Sequence, residues 1–284
     1  MDLPYAPLAQ LVEQLIYTEK VPGSSPGGCT NVIDPTILFE DTDVLVVNKP
    51  SGLIVYPDGR HDYPSLSEWL TKTYGKPALL QGELSPEAEG FHFVHRLDRE
   101  TSGVLIVAKT PEAHEFLKQQ FAEREVQKTY RAFAYGLIRD ERGIIDRPIG
   151  NARGGKGPRS ATRPHGTTRE ALTMYKVLGR TDPKVTLESG GQPATYVEVM
   201  PKTGRTHQIR VHFSLIQRPI VCDQLYAPSR KAILGFTRLA LHALALTVEM
   251  PAHSASGRAS GEKQTFVAPL PADFSEAEQL LQKV

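Results

Sequence analysis

The sequence has few of the residues that build disulfide or metal frameworks. Its two cysteines, Cys29 and Cys222, lie far apart, and no C-x-x-C pair occurs in the 284 residues. Small secreted domains depend on several disulfides, and structural zinc sites need clustered thiolates. The sequence therefore predicts neither framework and favours a reducing compartment.

Long apolar runs and an excess of charge are also missing. No stretch of about 18 apolar residues occurs, and the N-terminus carries Asp2 without a basic start. We therefore expect no membrane span, no signal peptide and a cytoplasmic location. Lys and Arg number 33 against 32 Asp and Glu, for a formal net charge of +1. A site for a polyanion must then be a local patch.

The chain divides by composition into a short arm and a main domain. Residues 6–18 carry one apolar stripe at helical spacing, and residues 22–28 have the Pro, Gly and Ser content of a flexible linker. The sequence thus predicts a helical arm and linker at 1–35 and a single domain at 36–284, since 35 residues are too few for an independent domain.

Short strands dominate the main domain. Helices are predicted after a Ser65/Glu68 capping box, after Thr110 and Pro111, from about Thr206 to Gln217, and from Ser275, with a loop at 76–92. Many strands, few helices and no βαβ rhythm indicate an α+β fold with a mixed, mainly antiparallel sheet and flanking helices. The predicted strands lie at 44–47, 53–56, 104–108, 128–136, 171–178, 184–188, 194–200 and 239–248.

Two motifs look functional but fit their chemistry poorly. Residues 150–157 read G-x-x-x-x-G-K, but Gly157 stands where a phosphate loop needs Ser or Thr, so we expect no nucleotide site. The H-x-x-H of His92 and His95 would face opposite sides of an extended segment, so we predict no metal there.

Residues 147–169 hold six Arg or Lys and no acid, interleaved with Gly and Pro. They are interpreted as a mobile basic loop that is either simply solvated or, through Lys156 and Arg159, grips nucleic-acid phosphates.

Asp98 is the strongest candidate for chemistry. An Asp before Thr-Ser-Gly is usually a turn or cap residue. Here Arg96 and Arg99 flank it, and residues 203–212 supply a second polar cluster, with His207 and Arg210 three apart on a predicted helix. A carboxylate held beside Arg stays ionised and oriented, as a nucleophile or a base requires.

Five blocks, in order along the chain, resemble those of one enzyme family. Residues 95–103, His-Arg-Leu-Asp-Arg-Glu-Thr-Ser-Gly, are similar to the signature H-R-L-D-x-x-T-S-G of the RluA family of RNA pseudouridine synthases. The resemblance implies the pseudouridine synthase fold with a catalytic cleft, and isomerisation of uridine in structured RNA without a cofactor or a metal. The other blocks are 48–52, 128–130, 204–212 and 241–243.

The resemblance also implies roles for single residues. Asp98 would be the catalytic carboxylate, Arg210 its ion-pair partner, and Tyr130 the ring that stacks on a base extruded from the RNA. Arg96 would fill the space that the base leaves, and Leu241 would form the pocket wall. Within the same blocks we expect three further residues to contact the base or the RNA, namely His95, Arg205 and His207.

Some positions depart from the family pattern. Gln217, Arg218 and Cys222 replace a Gly, a His and a second Gly, which puts the local turn in doubt. The arm is too short for the S4 RNA-binding domain of longer members. We therefore expect a monomer that acts on stem-loops of 23S rRNA or tRNA. An RNA-binding or remodelling protein without isomerase activity is the main alternative, and a nucleosidase-type hydrolase using Asp98 is a weaker one.

Overall fold

The computed structural model describes residues 34–283, apart from 58, 60, 77, 80–89, 153–158, 163, 183–191 and 252–260. Three predicted segments, the helix at 6–18, the linker at 22–28 and the strand at 184–188, lie outside the described residues. The division of the chain at residue 35 stays a prediction.

The described chain forms fifteen strands and four helices. The strands are β1 (Thr36–Glu40), β2 (Val44–Lys49), β3 (Ala78–Leu79), β4 (Phe91–Phe93), β5 (Ser102–Ala108), β6 (Gln127–Tyr135), β7 (Arg142–Asp146), β8 (Ile149–Asn151), β9 (Arg159–Ser160), β10 (His165–Arg169), β11 (Leu172–Arg180), β12 (Ala194–Pro201), β13 (Leu241–Met250), β14 (Glu262–Val267) and β15 (Gln282–Lys283). The helices are α1 (Leu66–Tyr74), α2 (Pro111–Glu123), α3 (Gln208–Leu215) and α4 (Ala272–Glu278).

One large sheet organises the domain. Its strands run in the order β1-β2-β5-β13-β6-β12-β11-β15, while β14 pairs with β13, β4 with β5, β3 with β4, and β7 with β11. Only the β5–β13 and β3–β4 pairings are parallel among those described. The predicted α+β class with a mixed, mainly antiparallel sheet is therefore confirmed. None of the four helices is long and apolar enough to cross a membrane.

The parallel junction between β5 and β13 requires a glycine. Gly103 pairs with Ala243 at a φ of 118°, and a Cβ there would lie 2.2 Å from the Ala243 carbonyl oxygen. Apolar side chains form one core around β2, β5 and α2, and another around β6, β12 and α3. Tyr130, on β6, packs against both cores. The boundary between the two cores is therefore where the sheet leaves room for a cleft.

The predicted helix starts are confirmed where a side chain caps them. Ser65 and Glu68 form the reciprocal capping box of α1, and the Thr110 hydroxyl accepts a hydrogen bond from the Ala113 amide before Pro111 opens α2. Helix α3 is shorter than predicted. His207 precedes it with a φ of 56°, so the prediction that His207 lies on one helix face with Arg210 is wrong.

Other local predictions were wrong. The basic segment 147–169 is not simply a loop, since β8, β9 and β10 form a separate antiparallel sheet. Segment 53–56 contributes only a bridge between Ile54 and Ser65. Part of the predicted loop at 76–92 is strand, and α4 begins at Ala272 rather than at Ser275.

The positions that depart from the family pattern keep a glycine-like backbone. Gln217 and Cys222 both have a φ of 58°, in the left-handed region. The Arg218 side chain donates to the Leu137 and Gln217 carbonyl oxygens, and the buried Cys222 thiol donates to the Phe236 carbonyl oxygen. The turn therefore persists with other side chains.

We expect Gln217→Gly to stabilise the protein by about 1 kcal/mol, because glycine enters the left-handed region without a Cβ penalty and the Gln217 side chain is exposed. Urea unfolding gives the free energy. Gln217→Ala is the matched control, since it removes the side chain but keeps Cβ. Equal free energies of unfolding for the two variants would show that the left-handed backbone at residue 217 is not strained.

Candidate active site

A cleft of about 410 Å³ opens where the two cores meet. The turn before β5 forms one wall, and the segment between β12 and α3 forms another. The predicted site residues among its lining are His95, Arg96, Asp98, Tyr130, Arg205, His207 and Leu241. Its volume suits a small organic group such as a nucleoside.

Asp98 is the carboxylate that the cleft exposes. Its side chain keeps 18% of its exposure, whereas the carboxylate of Asp223, deeper in the protein, keeps 0%. The Asp98 carbonyl oxygen accepts a hydrogen bond from the Thr101 amide at 3.1 Å, which closes the turn into β5. Asp98 is thus accessible but held by a rigid strand.

The segment after β2 supports this turn from below. The Ser51 hydroxyl donates to the Glu100 carbonyl oxygen at 2.7 Å, and the Gly52 amide donates to the Arg99 carbonyl oxygen at 2.8 Å. Lys49, fully buried, donates through Nζ to the carbonyl oxygens of Pro50, Leu53 and Arg99. Burial lowers the pKa of Lys49 to about 7, while the charges of Asp98 and Glu100 oppose that shift. Three carbonyl acceptors match the three hydrogens of an ammonium group.

Arg210 links Asp98 to the buried Asp223. Its Nε and one terminal nitrogen donate to the two Asp223 oxygens, both at 2.8 Å, and the other terminal nitrogen lies 3.4 Å from Asp98 Oδ2. Burial opposes the charge, but the hydrogen bonds and charge of Asp223, with those of Asp98, raise the pKa of Arg210 above its ordinary value. The predicted pair with Asp98 exists, although Asp223 is the tighter partner.

A hydrogen-bonded chain runs from β9 to His207, whose ring lies beside Asp98. The Arg159 amide donates to Tyr226 Oη at 3.0 Å, and Oη lies 3.0 Å from His207 Nδ1. Burial lowers the pKa of His207, against the opposing charge of Asp98, so the ring is neutral at pH 7. A tyrosine that donates its hydrogen to Nδ1 leaves the imidazole proton on Nε2, which lies 3.8 Å from Asp98 Oδ1.

Tyr130 and Leu241 lie on neighbouring strands beside Asp98. Tyr130 on β6 is opposite Ala243 on β13, and Leu241 is opposite Ala132, so small residues leave space over the tyrosine ring. Burial, with the charge of Asp98, raises the pKa of Tyr130, so the phenol stays protonated at neutral pH. An apolar, uncharged surface next to a carboxylate can hold a flat base.

Arg96 and His95 have different environments in the cleft. Arg96 is exposed and lies over the Tyr56 ring at 5.1 Å. His95 Nε2 accepts a hydrogen bond from the Ile106 amide, and its ring stacks on Phe121 at 4.7 Å. Burial, with the charge of Lys128, lowers the pKa of His95 to about 3, so the ring is neutral.

The structure tests only one of the two residues that were predicted to grip phosphate. Lys156 is outside the described residues. Arg159 has its guanidinium on the Asn151 side chain and does not line the cleft. In the part of the chain that the structure describes, no group of His, Cys, Asp and Glu could hold a metal ion.

Sequence reasoning missed Asp223, Tyr226 and a set of cleft cations. Nothing local in the sequence shows that the Asp223 and Tyr226 side chains turn back toward Arg210 and His207. The cations are Arg124, Lys128 and Lys202, which come from separate segments and form no charge run.

Known proteins share this sequence and fold. Residues 43–215 match the family described as RNA pseudouridylate synthase. The chain is 38% identical to the RNA pseudouridine synthase YlyB of Bacillus subtilis, over 88% of this chain and 74% of that one. It is 35% identical to ribosomal large subunit pseudouridine synthase D of Pseudomonas aeruginosa, over 85% and 70% of the two chains. Human RNA pseudouridylate synthase domain containing 1 superposes with a TM-score of 0.64 at 27% identity, over 92% of each chain.

The fold and the cleft are those of an enzyme that rearranges a nucleotide within RNA. The chain belongs to the RluA family of RNA pseudouridine synthases and is an isomerase that acts on RNA. The predicted family, fold and enzyme class are confirmed.

We expect Tyr226→Phe to slow pseudouridine formation about fivefold at saturating RNA while RNA affinity stays the same. The phenylalanine removes the hydrogen bond that orients His207, and one such bond contributes about 1 kcal/mol. Single-turnover rates and filter binding measure the two effects.

Tyr74→Phe is the matched control, because it also removes one tyrosine hydrogen bond, to Glu40 outside the cleft. An equal slowing in both variants would mean that the Tyr226 hydroxyl has no special role.

Proposed function

We propose that the chain converts uridine to pseudouridine in large-subunit ribosomal RNA, with Asp98 as the catalytic carboxylate. Stem-loops of tRNA are the second candidate substrate. Relatives named for the ribosomal large subunit, at 34% and 35% identity, support the first. The single observation that carries the role of Asp98 is its position as the one carboxylate in the described lining of the cleft, 3.4 Å from Arg210.

The reaction needs the base to leave the RNA stack and stay in the pocket. The bond between C1′ and N1 breaks, the uracil turns, and a bond between C1′ and C5 forms. The hydrogen on C5 is lost and N1 gains one, so the reaction consumes and releases nothing. A closed pocket prevents loss of the detached base. Tyr130 would stack on the uracil and Leu241 would limit its movement, while Arg96, exposed at the cleft, would occupy the vacated space in the RNA.

Asp98 can act in two ways. As a nucleophile it would bond covalently to the nucleotide, and as a base it would take a proton from the sugar. Both need the ionised carboxylate, which the Arg210 guanidinium favours. Neither step uses the Tyr130 phenol as a base, because burial keeps it protonated.

Three further features belong to this proposal. Residues 36–284 act as the catalytic domain, with 1–35 as an appended arm. The enzyme works as a monomer in the cytoplasm.

The alternative of an inactive RNA-binding protein rested on the basic segment 147–169 and on the changes at Gln217, Arg218 and Cys222. Two of these residues keep the left-handed backbone that glycine would adopt, and Arg218 caps the same turn through its side chain. The argument for inactivity therefore loses its structural basis.

We expect Asp98→Asn to fold and bind RNA but make no pseudouridine, because the amide can neither attack the sugar nor accept its proton. The gene would be deleted and replaced by either form, and pseudouridines would be mapped in ribosomal and transfer RNA. A site lost on deletion should return with the wild type alone.

Asp146→Asn is the matched control, since this carboxylate lies exposed on β7, outside the cleft. Restoration of the site by Asp98→Asn would overturn the role of Asp98. A lost site in tRNA alone would overturn the ribosomal assignment and leave that role intact.

A further inference from the structure

Four cations from three parts of the chain converge on the cleft. Arg124 ends α2, Lys128 lies on β6, and Lys202 and Arg205 follow β12. All four line the cavity that contains Asp98, and we call them the basic wall. Because the whole protein carries a net charge of only +1, this wall is a local concentration of charge.

The basic wall has little negative charge of its own. In the described part of the chain, neither Lys128 nor Lys202 pairs with a carboxylate, and the Lys128 Nζ lies 3.5 Å from the Thr203 carbonyl oxygen. Glu170 is 3.5 Å from Arg124, but its side chain is 85% exposed, so this pair is weak. Arg205 reaches only the backbone oxygen of Glu170. Like charges gathered without counterions destabilise the free protein and favour a bound anion.

The neighbouring positive charges act directly on Lys128. The charged groups around it are Arg205, Lys202 and Arg124, and His95 beside it is neutral. Burial, together with the three cations, lowers the pKa of Lys128 to about 8. Keeping the Lys128 ammonium charged at pH 7 therefore costs free energy in the free protein. A bound anion would remove that cost.

The backbone conformation of Arg124 is separate evidence that a positive charge is favoured at this position. It caps α2 with a φ of 65°, in the left-handed region where glycine is favoured at a helix end. An arginine there accepts backbone strain. A basic residue at a helix C-terminus can also offset the helix dipole, and that role predicts a loss of stability when the side chain is removed.

We propose that Arg124, Lys128, Lys202 and Arg205 form a subsite for the phosphates that flank the extruded uridine. The inference rests on the proposed function, because RNA bound with its target sugar at Asp98 must place the adjacent backbone along the walls of the same cleft. The basic wall contacts phosphate rather than base, so it contributes affinity and position without reading sequence. It is distinct from Arg159, whose guanidinium is engaged by Asn151.

The pH dependence of binding tests the role of Lys128. The lysine is charged below about pH 8 in the free protein, and a bound phosphate would raise its pKa, so binding above pH 8 requires proton uptake. RNA affinity should therefore fall as the pH rises through 8. Lys128→Arg stays charged throughout and should show a flatter profile between about pH 7 and 9. Identical profiles for the two proteins would remove Lys128 from the subsite.

Arg124→Gly separates binding from stability. Glycine suits the left-handed backbone, so the variant should unfold at the same temperature as the wild type or higher, and lost binding cannot be ascribed to misfolding. We expect the RNA concentration at half-saturation to rise roughly three- to tenfold, and the slope of log affinity against log salt to fall by about 0.7 to 1.

Gln217→Gly is the matched control, because it makes the same backbone change at an exposed position outside the cleft lining. Filter binding would use purified large-subunit ribosomal RNA and, separately, total tRNA, over a range of KCl concentrations. An unchanged salt slope with both RNAs, in a variant that still makes pseudouridine, would overturn the subsite alone. Failure of the wild type to modify either RNA would instead overturn the proposed function. A lower unfolding temperature with unchanged binding would assign Arg124 to the helix dipole.

Discussion

The guanidinium of Arg210 is the group on which the arrangement around Asp98 depends. It is 5% exposed and joins three segments that are distant in sequence: helix α3, the turn that contains Asp98 and the loop that contains Asp223. Two of its nitrogens are committed to Asp223, so the third can point in only one direction, toward Asp98. A buried charge that loses one partner costs about 3–5 kcal/mol, which makes alternative arrangements of these segments unfavourable.

A buried lysine, Lys49, fixes the same turn from the opposite side. Lys49 bonds three carbonyl oxygens, one of them from Arg99, while His95 accepts the Ile106 amide from β5. The residues that flank Asp98 are thus bonded to β2 and to β5, and Gly103 allows β5 to lie directly against β13. The carboxylate is positioned because its backbone neighbours have no freedom, which is the usual requirement for a preorganised site.

Local signals in the sequence predicted what local physics decides. The capping residues of α1 and α2, the buried strands β2 and β5, and the motif around Asp98 follow from neighbours within a few residues. The strands at 149–151, 159–160 and 165–169 could not be predicted, because charge and glycine content suggested a loop while pairing with one another decides their structure. Asp223, Tyr226 and three members of the basic wall, Arg124, Lys128 and Lys202, were missed because their significance arises only when separate segments meet.

The distribution of charge in the cleft allows an RNA backbone to approach a cluster of carboxylates. Asp98, Glu100 and Asp223 surround the single guanidinium of Arg210, so these three carboxylates outnumber the guanidinium groups of Arg210 and Arg99. A phosphate backbone approaching them would be repelled. Arg210 cannot relieve this repulsion, because its hydrogen bonds are already directed at carboxylates. Cations without carboxylate partners can relieve the repulsion. The cleft places such cations on the basic wall, where Lys128 and Lys202 belong to no described ion pair. The two groups of basic residues thus have separate tasks: one holds the acid in place, and the other allows a polyanion to come close to it.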